Sequence, residues 1–152
     1  MKRIIAYILL LGAALLMPVK RADVGKLMPV ELVHIYKEGN YITIATDTGA
    51  GGTGKTVHAA VENLKSTTAG IIYLDTARYL LTEENMAEEL AAIRTYLKPM
   101  VRVCTVRRNV DLKKAASYLA VHTPHCRLRD LMNGQEAEML RVENGKMVLK
   151  EI

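Results

Sequence analysis

The sequence has no Trp and no Phe among its 152 residues. Any core must therefore be built from Leu, Ile, Val, Met and seven Tyr. Only two cysteines occur, Cys104 and Cys126, which excludes a disulfide-stapled scaffold and leaves a single bridge open. His122, His125 and Cys126 form half a metal site, and no second cluster supplies the remaining ligands. That group reads as a polar connection after a helix. No Ser lies in a nucleophile-elbow pattern. Asp111, Asp130 and the histidines form no recognisable acid–base set. Internal repeats and low-complexity tracts are also missing.

What remains is ordinary for one folded domain: 50% apolar, 24% charged, with a formal net charge of +5 and a pI near 9.2. The basic excess is spread along the chain. Tyr36, Tyr41, Tyr73 and Tyr79 do not sit among the basic clusters, so nucleic acid is not an expected partner. The excess reads as a solvated surface, or as weak attraction to anionic lipid.

Lys2-Arg3, an uncharged run from Ile4 to Val19, and Lys20-Arg21 make residues 1–21 a signal anchor or signal peptide. The run is shorter than the ~20 residues of a comfortable span, and Pro18 breaks its end. No small-x-small cleavage site follows it. The expectation is an uncleaved anchor, with membrane contact through residues 4–19 and the remainder on the extracytoplasmic face. Residues 22–28 read as a linker and 29–152 as a single domain.

Within that domain, Pro29 to Lys37 and Tyr41 to Asp47 are strand-like, joined by the turn residues Glu38-Gly39-Asn40. Gly49 to Gly54 reads as a flexible loop. Val57, Ala60, Val61 and Leu64 recur at helical spacing from Thr56 onward. Ile71 to Leu74 and Tyr79 to Leu81 follow as strands. A helix carrying Met86, Leu90, Ile93 and Leu97 on one face has acidic residues at its start, Lys98 at its end and Pro99 as its stop. Val101 to Val106 is a strand and Asp111 to Ala120 a third helix. Asn144-Gly145 between two alternating runs signals a terminal hairpin. This order predicts an α+β fold: a mixed, mainly antiparallel sheet with about three helices packed on one face.

Gly49-Ala50-Gly51-Gly52-Thr53-Gly54-Lys55-Thr56 satisfies the phosphate-loop pattern GxxxxGK[ST] between a strand-like and a helix-like run. Such a loop surrounds a phosphate with backbone N–H groups, while its Lys adds charge and its Thr holds magnesium. A nucleotide-binding reading would use Gly49, Gly54, Lys55 and Thr56, with Asp75 at the end of the next apolar strand near the metal. Three points oppose it. Thr43, Thr46 and Asp47 interrupt the preceding strand, which in a doubly covered parallel sheet would be continuously apolar. Only 77 residues follow Asp75, too few for the sheet and base pocket of such an ATPase. The anchor also places the domain away from cytosolic nucleotide. The glycines then serve a β–α connection, and Thr53 or Thr56 caps the helix.

The anchor, the hairpin, the helix start Thr53-Gly54-Lys55-Thr56 and the strand Ile71 to Leu74 come in a particular order. After them come Tyr79 to Glu83, the acidic helix, Val101-Arg102-Val103 and Met139-Leu140-Arg141-Val142-Glu143. This order resembles the N-terminal domain of the Ger(x)C spore-germination proteins, lipoprotein subunits of nutrient germinant receptors. The resemblance spans about Asp23 to Val148 and is one of element pattern. The family's lipidated Cys has no counterpart, and Leu74-Asp75 stands where the family tends to have Gly-His. The resemblance implies a non-catalytic, membrane-tethered domain that acts on protein partners, with no catalytic residue, metal or cofactor to carry over.

Overall fold

The computed structural model describes residues 26–107 and 110–151. The expected anchor, 1–21, and the linker up to residue 25 lie outside the described residues. Among the described residues, no helix is long and apolar enough to cross a membrane.

Short β-branched and leucine-rich runs set the architecture. β1 (Leu27–Pro29) and β2 (Leu32–Glu38) are separated by a break at Val30 and Glu31. Asp47 holds that break, its carboxylate accepting from the amides of Glu31 and Leu32 at 3.2 and 3.1 Å. Gly39, at φ 60°, makes the tight turn into β3 (Tyr41–Thr46). β4 (Gly51–Gly54) and α1 (Val57–Thr67) follow, then β5 (Ile71–Tyr73), a 3-10 turn at Leu74–Thr76 and β6 (Tyr79–Thr82). α2 (Ala87–Ile93), β7 (Arg102–Val106), α3 (Leu112–Val121), α4 (Leu128–Met132) and the hairpin β8 (Met139–Glu143)–β9 (Lys146–Lys150) complete the chain.

Seven strands form one mixed sheet in the order β4-β3-β2-β6-β7-β8-β9, while β1 and β5 pair in parallel as a separate ribbon. The centre, β2-β6-β7-β8, is parallel, and the antiparallel hairpins that flank it carry the longer ladders. The fold is thus α+β with a mixed sheet, as the sequence predicts. In two respects it differs. Four helices are described rather than three, because the five-residue α4 is too short to show a helical period. The helices also cover both faces of the sheet. Val33, Ile35, Leu80 and Val103 pack on one side with Val57, Ala60, Val61 and Leu64 of α1 and Leu90 and Ile93 of α2. Their strand neighbours Leu32, Leu81, Cys104 and Val106 pack on the other with Ala115, Ala116 and Leu119 of α3. Near-continuous apolar runs in β2, β6 and β7 are what a doubly covered parallel centre requires.

Gly49 to Gly54 is mostly strand rather than loop. Gly54 pairs with Ile42, Thr53 with Thr43 and Gly52 with Ile44, making β4 the edge of the sheet. Its low side-chain content is a packing requirement. A Cβ on Gly52 would lie 2.3 Å from Ala60 O and Leu64 N, and one on Gly54 would lie 2.5 Å from Ala60 N. Helix α1 rests backbone to backbone on these glycines. Its side chains also close the outer edge: Asn63 Oδ1 accepts from Thr53 N at 3.0 Å, and Thr67 Oγ1 donates to Gly51 O at 3.3 Å.

Gly52→Ala is therefore expected to destabilise the fold by about 3 kcal/mol, as overpacking against rigid backbone does. Gly51→Ala, whose Cβ would meet only Ile44 O at 3.5 Å, serves as the control. Urea unfolding midpoints should drop strongly for the first and little for the second.

Candidate functional site

The residues of the phosphate-loop reading are not brought together. Gly54 is level with Ile42 and hence with Lys37, near the ends of the parallel strands. Asp75 lies in the 3-10 turn that precedes β6, and β6 starts level with Leu32 at the opposite rim. The span of β2 from Leu32 to Lys37 separates those levels by about 16 Å. Asp75 is too far away to share a magnesium ion with Thr56. Gly49 sits at φ 86° in the exposed turn between β3 and β4, with nothing within 4 Å of its Cβ position.

Much of the octapeptide's backbone is already engaged: Gly49 N donates to Thr46 O at 3.0 Å, and Ala50 O accepts from Thr46 N at 2.9 Å. Thr53 N is bonded to Asn63, and the ladder to β3 occupies the rest of the strand. Thr56 is the N-cap of α1, its hydroxyl accepting from Ala59 N at 3.1 Å. Of the two capping candidates in the sequence, Thr56 takes the role and Thr53 joins the sheet. Lys55 is exposed, and among the described residues it has no ion-pair partner.

The histidine–cysteine group also disperses. His122 is the C-cap of α3 and stacks on Tyr118. His125 turns to Glu138, whose carboxylate accepts from the His125 backbone N at 2.6 Å and meets its Nδ1 at 2.9 Å. Glu138 is buried, and its carbonyl also accepts from Thr105 N at 2.9 Å, so this clamp fastens the 124–126 segment to β8 and β7. Among the described residues, no three His, Cys, Asp or Glu side chains converge as metal ligands.

Cys104 and Cys126 are both free and buried, and they belong to the cores on opposite faces of the sheet. Burial pushes the Cys104 thiol up to about 12, with the charge of Glu138 adding to the effect. Burial likewise raises Cys126, helped by Asp130 and Glu138. Neither is a nucleophile at neutral pH.

One buried polar group stands out that the sequence does not flag. His34 lies mid-strand in β2, level with Ala45 and Leu81, and is only 5% exposed. Its ring packs 4.8 Å from that of Tyr36, and its Nε2 has no hydrogen-bond partner. Burial lowers its pKa to about 4, although the negative charge of Glu83 pulls the other way. A lone histidine within an apolar run gives no sign of whether it is buried or partnered, which is why its setting is legible only in three dimensions.

His34 makes stability depend on pH. The unfolded imidazole takes up its proton near pH 6.5 and the folded one only near 4, so folding is favoured above 6.5 and loses ground as pH falls towards 4. Full protonation corresponds to a loss of about 3 kcal/mol at ~1.4 kcal/mol per pKa unit. His34→Leu should remove this part of the slope between pH 6.5 and 4, read from urea midpoints of both proteins at each pH.

No family model, curated protein or solved structure matches this chain.

Proposed function

We propose that this chain is a non-catalytic α+β domain, tethered to a membrane through residues 4–19 on the extracytoplasmic face, that acts by binding a protein partner. The observation that supports the non-catalytic reading most directly is the use of the glycine segment. Its glycines accommodate α1, its Thr caps that helix, and the carboxylate that magnesium would need lies at the other rim. The high thiol pKa values and the dispersal of the histidines argue in the same direction. The tether rests on the uncharged run between Lys2-Arg3 and Lys20-Arg21. A setting in spore germination rests on the Ger(x)C-like order of elements alone.

Two measurements test this reading. Full-length protein in non-ionic detergent is expected to show no ATP binding that depends on Lys55, so Lys55→Ala should leave the calorimetric trace unchanged. Micromolar ATP affinity that disappears in Lys55→Ala would overturn the non-catalytic reading. A topology reporter fused after Ile152 should be active only outside the cytoplasm, and activity confined to the cytoplasm would remove the extracytoplasmic placement.

A further inference from the structure

The rim where the parallel strands begin carries an open cleft of about 530 Å³. Three segments distant in sequence meet there: Asp75 to Tyr79 entering β6, Lys98 to Arg102 entering β7, and the end of α3 with Ala120 and Thr123. The backbone fixes the first two against each other. Arg78 N donates to Glu31 O at 2.8 Å, and Arg102 N donates to Arg78 O at 2.9 Å. Arg78, Lys98 and Arg102 all line this cleft.

Arg102 is held in position, its Nη1 donating to Pro124 O at 3.0 Å and His125 O at 2.8 Å. Its Nε and Nη2 have no partner among the described residues, and neither do the side chains of Arg78 and Lys98. Guanidinium groups present donors in a fork that matches two oxygens of one anion, and Lys adds a point charge. Among the described residues Asp75 is the only carboxylate lining the cleft, against three cationic residues. The C-terminal end of α3 contributes about half a negative charge more. A surplus of about one and a half positive charges remains, close to what a phosphate monoester carries at neutral pH. The cleft is large enough for more than an inorganic ion. Tyr79 and Val101 give it buried apolar walls, and the 52% exposed Met100 lies at its mouth.

We propose that this cleft binds a phosphate monoester through Arg78, Lys98 and Arg102, with Arg102 as the fixed fork. The inference does not depend on the tether or on a protein partner. The same headgroup chemistry comes from a soluble metabolite or from a phosphatidic acid headgroup. Full-length protein in non-ionic detergent would be titrated by calorimetry with glycerol 3-phosphate, dihexanoyl phosphatidic acid and, as the uncharged comparison, dihexanoyl phosphatidylcholine.

Saturable binding of glycerol 3-phosphate at least as tight as that of the lipid assigns the site to free phosphate esters. Binding of phosphatidic acid at least tenfold tighter assigns it to the lipid. In either case Arg78→Gln with Lys98→Gln should weaken binding at least tenfold, and Lys146→Gln on the distant hairpin should not. Arg102→Gln should abolish it. Because Arg102 also ties down the 124–125 carbonyls, the exposed pair Arg78 and Lys98 carries the test if that variant misfolds. Absence of binding by both phosphates, equal binding of the choline lipid, or affinity unchanged in the Arg78/Lys98 double variant would each overturn the proposal.

Discussion

Direct backbone contact between α1 and β4 is the constraint on which half of the molecule depends. Ala60, Val61 and Leu64 reach zero exposure because the strand beneath them contributes no Cβ at Gly52 and Gly54. The same closeness lets Asn63 and Thr67 reach over the edge and bond its outward backbone groups. Side chains on β4 would lift the helix, expose the apolar residues of β3 and reopen an unpaired strand edge. One fixed glycine of the nucleotide-like spacing, Gly54, is therefore also a demand of packing.

The opposite end of the sheet is organised differently. On its side away from β6, β7 is flanked by two partners in turn: the 126–127 segment near its start and β8 near its end. The Glu138 clamp on His125 and the Arg102 bonds to the Pro124 and His125 carbonyls secure the first of these. The chain can thus pass from α3 on one face to α4 on the other without leaving the β7 edge unpaired. Charge follows the same division. Arg78 and Arg102 meet where β6 and β7 begin, whereas Glu83 follows the end of β6, where its carboxylate accepts from Lys37 N.

Most elements were legible in the sequence because their apolar periods are local. The stripe Val57, Ala60, Val61, Leu64 and the Asn144-Gly145 turn need no tertiary information. Gly51 to Gly54 was not legible as a strand, since glycine has poor strand propensity and only pairing with β3 and contact with α1 make it one. The break at Val30 and Glu31 was hidden because both halves of that run are strand-like. Helices on both faces could have been inferred from the near-continuous apolar runs of β6 and β2, but the hairpins at either end favoured a one-sided sheet. The candidate sites were hardest to read. Asp75 looks close to Lys55 in sequence yet sits at the other rim, and Arg78, Lys98 and Arg102 read as scattered surface charge until the strands align them.

The seat of α1 also changes what should identify kin of this chain. Lys55 and Thr56, exposed at the mouth of the helix, are free to vary, with any good capping residue serving at the second position. Gly52 and Gly54 admit no alternative, and the small residues Ala59 and Ala60 that meet them are nearly as restricted. Homologues should therefore preserve a Gly-x-Gly followed five residues later by a pair of small side chains, even where the apparent nucleotide signature has eroded completely.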